Sequence, residues 1–139
     1  MSLVKDPRVR DSAYMGFIAK LPCIGCMVRG EYRRPVEVAH LRIGSLEHGK
    51  RHTGMGERPS DRPWVLPLCS NCHRLGNDSQ HSGGELEWWA GRGVNPFDLC
   101  LALSAAYEEG KPGQPVIARF AAHGRNEIEG LRANERINR

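Results

Sequence analysis

A chain of 139 residues with 40% hydrophobic content has enough apolar material for one core and too little for two comfortable domains. No apolar run approaches the roughly 20 residues that span a bilayer, and the opening stretch MSLVKDPRVRDSAY has no apolar signal-peptide region, so a soluble intracellular protein with no membrane partner is expected. The net charge of +4 is too mild to identify a partner, although most of the basic residues are arginine, whose fork suits bidentate phosphate contacts.

Asp6 and Pro7 make an N-cap and first-turn pair, and Val9, Ala13, Gly16, Phe17 and Leu21 then recur at helical spacing, predicting a helix from about Pro7 to Lys20. Pro22 stops it. The first cysteine pair follows in LPCIGC, where Gly25 is expected to give a tight turn its backbone freedom. VEVAHLRI alternates apolar and polar residues and reads as a strand carrying His40, and WVLPLC reads as a second strand pairing antiparallel with it. Between them, residues 44–63 have no sustained period and form a long loop.

Beyond the second cysteine pair a short helix is expected around Ser70 to His73, loosened by the turn residues Gly76, Asn77 and Asp78. Gly84 to Arg92 reads as helical, with Trp88 and Trp89 as core residues rather than base-stacking platforms. Asn95 caps an apolar helix from about Pro96 to Glu109, in which Cys100 is expected to be buried. GKPGQP is a linker, and Ile117, Phe120, Ala121, Ile128 and Leu131 share one stripe of an amphipathic C-terminal helix. The expected division is an N-terminal helix over 1–21, a metal-bound core with supporting helices over 22–109, a linker over 110–115 and a terminal helix over 116–139.

Cys23, Cys26, Cys69 and Cys72 form a C-x2-C…C-x2-C set that the hairpin would bring together. In a reducing compartment such pairs are metal ligands more often than disulfides, and four thiolates saturate a structural Zn²⁺. The fold class expected is a small zinc-stabilised α+β domain. His40 on one strand, with His73 and His81 beyond the other, would converge on one side of it in a ββα-metal (His-Me finger) core with flanking helices. Neutral imidazoles there can take a proton from water and hold a divalent cation with open positions.

The order C-x-x-C, AHLR, a Gly-rich loop with GMG, SD, VLPLCSNCH and QHSGGELEWWAGRGVNP resembles HNH endonucleases, most closely the phage recombination-enhancement-function nucleases and their DUF968-type relatives. It covers about residues 8–105. The resemblance implies that His40 is the general base, that Asp61 orients it, and that His73 and His81 hold a catalytic Mg²⁺ or another divalent cation. It implies metal-assisted hydrolysis of DNA phosphodiester bonds to 5′-phosphate and 3′-hydroxyl ends, in the cytoplasm of a bacterial host cell. DNA is the expected partner, with a recombination protein as a second candidate.

Two features depart from the commonest HNH pattern. Ala39 stands where many such sites carry a metal ligand, as in the AH subgroup that the chain resembles. His73 and His81 are also eight residues apart rather than one helical turn, so Asn77, at i+4 from His73, is the alternative ligand. Arg42, Lys50, Arg51, Arg58, Arg62 and Arg74 are the expected phosphate contacts, and His48 and His52 share their basic loop. A second reading is a non-catalytic zinc module that binds nucleic acid or a recombination protein. A thiol-redox protein is a weaker third, because neither CIGC nor CSNC opens a helix in a thioredoxin-like βαβ context.

Overall fold

The computed structural model describes residues 10–54, 57 and 59–137. In chain order they form α1 (Ser12–Ala19), α2 (Ile24–Val28), β1 (Glu37–His40), β2 (Val65–Leu68), a π-helix (Asn71–Leu75), α3 (Glu85–Ala90), α4 (Pro96–Glu108) and α5 (Gln114–Ile137). The architecture is mixed α+β, and its only sheet among the described residues is the β1–β2 hairpin. No described helix is long and apolar enough to cross a membrane.

The Asp11 carboxylate accepts from the Tyr14 N–H and caps α1, which then buries Tyr14 and Ile18 one turn apart. The expected cap at Asp6 and Pro7 lies outside the described residues. The helix itself begins five residues later than expected, at Ser12, because Asp11 satisfies the first-turn donor. Cys23 caps α2 in turn, its sulfur accepting from the Cys26 N–H at 3.4 Å.

β1 and β2 pair antiparallel with Glu37 opposite Leu68 and His40 opposite Val65. β2 is buried along its whole length and Ala39 is buried in β1, so the sheet is a core element rather than a surface ribbon. It shares one apolar cluster with Ile18, Ile24, Leu99, Leu103 and Ile117 from four helices. Cys100 lies in the same core, with its burial pushing the thiol pKa up.

Trp88 and Trp89 are buried, and Trp88 donates its indole N–H to the Asp78 carbonyl, steadying the turn that follows the π-helix. Asn95 caps α4 by accepting from the Phe97 and Asp98 N–H groups. The expected linker is shorter than its composition implied: Gly113 packs against Phe17 and Leu21, and α5 already begins at Gln114. α5 buries Val116, Ile117, Ala121 and Gly124, and Arg125 donates to the Met27 carbonyl at the end of α2. Its apolar stripe is used as far as Ile128, which packs against the core, whereas Leu131 is exposed.

Candidate metal centre and histidine cleft

The hairpin carries the second cysteine pair back to the first. The Sγ atoms of Cys23, Cys26, Cys69 and Cys72 all lie within 4.8 Å of one another, and all four side chains are buried. A metal with thiolate arms of about 2.3 Å in a tetrahedron sets its sulfurs about 3.8 Å apart. Cys26 Sγ is 3.7 Å from Cys69 Sγ and 3.8 Å from Cys72 Sγ, so the donor set fits a closed tetrahedral site. The four thiols can hold one metal ion such as zinc.

The electrostatics favour thiolate at Cys23. Hydrogen bonding from Cys72, opposed by burial and helped by backbone N–H groups, holds the Cys23 thiol down to about 5. That shared proton pushes Cys72 up instead, and burial raises Cys26 to about 11. Arg29 donates to Cys26 Sγ at 3.5 Å, a cation placed to offset the negative charge of a thiolate cluster.

Gly25 acts differently from the expectation. It sits inside α2 rather than in a turn, and a Cβ there would lie 2.9 Å from Cys72 Sγ and 3.0 Å from the Trp88 ring. Close approach of α2 to the second cysteine pair is what requires glycine at this position. CIGC does open a helix, α2, yet the element before it is α1 rather than a strand, so the βαβ setting of a thioredoxin-type site is missing.

On the other side of Cys72 the chain turns outward. His40, Arg42, Pro59, His73 and His81 line one cleft of about 290 Å³. His40 stands at the end of β1, with its Nε2 3.4 Å from Asp61 Oδ1. Asp61 is itself held, because its Oδ2 accepts from the Asp11 N–H at 3.0 Å. This pair spans the loop before β2 and fixes the imidazole from the side of α1.

The π-helix places His81 and Asn77 differently. Its wide turn ends at Gly76, whose extended backbone leaves the helical path, so the i+4 arithmetic that favoured Asn77 does not apply. Asn77 is exposed and outside the cleft wall. The chain loops back instead: the Gln80 N–H donates to the Cys72 carbonyl and the His81 N–H to the His73 carbonyl, at 2.8 and 3.3 Å. The His73 and His81 rings lie 4.7 Å apart between centroids. Burial, and then the neighbouring His73, lower the His81 pKa, which favours the neutral, ligating form.

Glu37 was not singled out from the sequence. Its Oε1 lies 2.8 Å from His73 Nδ1, and its Oε2 accepts from Arg74 at 2.8 Å. Arg74 first, and His73 second, hold the Glu37 carboxyl down to about 2. A carboxylate on Nδ1 fixes the ring and leaves Nε2 as the ligand atom, the outer-sphere arrangement usual for metal-bound histidine. No local pattern in the sequence signals this contact, which joins residues 36 positions apart.

The expected phosphate contacts separate. Arg42 lines the cleft and also donates to the Glu57 carbonyl. Arg51 pairs with Glu57 and Arg74 with Glu37. Lys50 and Arg62 are tied into the fold instead. Lys50 is buried and donates to the Arg51 carbonyl, and Arg62 lies 5.1 Å from both the Tyr14 and Tyr107 rings while pairing with Glu108. Arg58 lies outside the described residues. His48 bonds Asp98 at 2.8 Å and stacks on Phe97, so it fastens the long loop to α4. His52 is exposed.

No family model, curated protein or solved structure matches the chain.

Proposed function

We propose that the chain is a metal-dependent HNH endonuclease, its hairpin and π-helix forming a ββα-metal core, that hydrolyses DNA phosphodiester bonds to 5′-phosphate and 3′-hydroxyl ends. One observation carries the reading: His40, His73 and His81 share a single cleft, with Asp61 behind His40. Isolated histidines of a packed core would have no reason to converge on one solvent-open cleft.

The chain's own residues divide the work. His40 takes the proton from the attacking water, and Asp61 orients its ring and steadies the imidazolium that forms. His73 and His81 would hold the cation through ring nitrogens, with Glu37 fixing the first of the two rings. A bound Mg²⁺ or similar divalent cation would supply charge neutralisation at the phosphate and the departing oxygen. Arg42, in the cleft wall, meets the DNA backbone. A structural Zn²⁺ in the four-cysteine site ties α2 to the hairpin that carries His40 and, through Cys72, the π-helix that carries His73.

The test is nicking of supercoiled plasmid with Mg²⁺, Mn²⁺ or EDTA, beside His40→Ala. Cation-dependent nicking is expected, reduced about 10² to 10⁴-fold in His40→Ala with zinc content unchanged. Plasmid, linear duplex and single strands all left intact with every cation would reject the enzyme and favour a non-catalytic zinc module, which DNA or recombination-protein binding would then reveal.

A further inference from the structure

Glu85 lies outside the cleft wall, at the start of α3, yet its carboxylate meets both chain segments that bring histidines to it. Oε1 accepts from the Arg42 and Ile43 N–H groups at 3.1 and 3.0 Å. These donors lie two and three residues past His40, beyond the bond from the Leu41 N–H to the Trp64 carbonyl that continues the hairpin pairing. Oε2 accepts from Gln80 Nε2 at 2.7 Å, and the same amide nitrogen is 3.5 Å from the His40 carbonyl. Gln80 is 1% exposed and immediately precedes His81.

We propose that Glu85 is a positioning residue that clamps the His40 strand end to the Gln80–His81 segment and so fixes the separation of the base from the cation-holding histidines. The inference rests on the nuclease reading for its catalytic meaning and on geometry alone for the clamp. A carboxylate suits the task because three N–H groups converge on it, and charge-assisted hydrogen bonds are shorter and stronger than neutral ones. The Gln80 amide also reaches the His40 carbonyl, but at 3.5 Å, so the carboxylate makes the shorter bonds to the two segments.

The conservative variant provides a rescue. In Glu85→Gln the new carbonyl can still accept from Arg42 and Ile43. Its amide can then donate to Gln80 Oε1, an atom that is buried and has no hydrogen-bond partner among the described residues of the wild type, once the Gln80 amide turns over.

The experiment compares wild type, Glu85→Ala, Glu85→Gln and Gln80→Leu by nicking kinetics, zinc content and the NMR ring signals of His40, His73 and His81 with and without Mn²⁺. Glu85→Ala is expected to keep its zinc, to shift the His40 and His81 signals, to need more Mn²⁺ to broaden His81, and to lose about 10 to 100-fold in kcat with little change in KM. Glu85→Gln should recover most of the wild-type behaviour.

Wild-type ring signals, Mn²⁺ requirement and kcat in folded Glu85→Ala would overturn the clamp. Should Glu85→Ala fail to fold, Gln80→Leu carries the test: a shifted His81 signal supports the clamp and an unshifted one overturns it. Should the wild type cleave no DNA, the nuclease reading falls separately, and the ring signals still decide the clamp.

Discussion

Cys72 and His73 are neighbours in the chain but belong to opposite kinds of site. Cys72 is 3% exposed and points into a cluster whose four sulfurs lie within 4.8 Å of one another, leaving no room for a further ligand. His73 points into an open cleft that it shares with His40 and His81. A saturated, buried donor set can hold a fold together and cannot exchange ligands with a substrate, whereas an open set has positions to spare. Adjacent side chains able to bind metal therefore need not face one site. The π-helix turns successive side chains inward and outward.

The comparison predicts different consequences for damage on each side. The largest effect is expected from Cys69→Ser, which should lose zinc and the folded state together, since such a site contributes on the order of 10 kcal/mol or more to folding. Metal analysis with circular dichroism checks this, and a folded, metal-free variant would erase the structural side of the contrast. On the open side, His81→Ala should leave zinc and fold intact while cutting cation-dependent nicking about 10-fold or more, because even the loss of an outer partner typically costs a metal site that much. Asn77→Ala should match the wild type in the same assay. Equal losses in the two variants would reassign the second ligand.

Smaller effects sharpen the boundary between the sites. Gly25→Ala should lower stability by about 1 to 3 kcal/mol in a denaturant titration, because the new methyl presses on Cys72 Sγ and the Trp88 ring. His40 pairs with Val65 at the end of the hairpin away from Leu68 and Cys69, so its ring signal should stay in place. The smallest effect is expected for His48→Ala, about 1 kcal/mol in the same titration through loss of its bond to Asp98, with nicking unchanged.

The two sites also differ in how far the sequence announced them. The cysteine pairs are legible from spacing alone, and the alternation in VEVAHLRI together with the short apolar segment WVLPLC is enough to predict the hairpin that joins them. The helix capped by Asn95 follows from local chemistry in the same way. The histidine cleft is legible only in part. His40, His73 and His81 follow from the hairpin, but i+4 arithmetic assumes an α-helix and so misleads about Asn77, since a π-helix has no simple signature in composition. Glu37 and Glu85 act through contacts between residues far apart in the chain, with no periodic pattern to expose them. Arg62 reads as a surface cation because nothing local reveals the Tyr14 and Tyr107 rings that it lies against.

The central claim is that a closed structural site and an open catalytic site sit side by side, and nicking by protein treated briefly with EDTA, with zinc counted before and after, tests it most directly. The account predicts one zinc per chain retained in the buried cysteine cluster, nicking abolished, and activity restored by added Mg²⁺ or Mn²⁺ alone. Nicking that persists after EDTA, or that returns only when zinc is supplied to refill the cysteines, would contradict it.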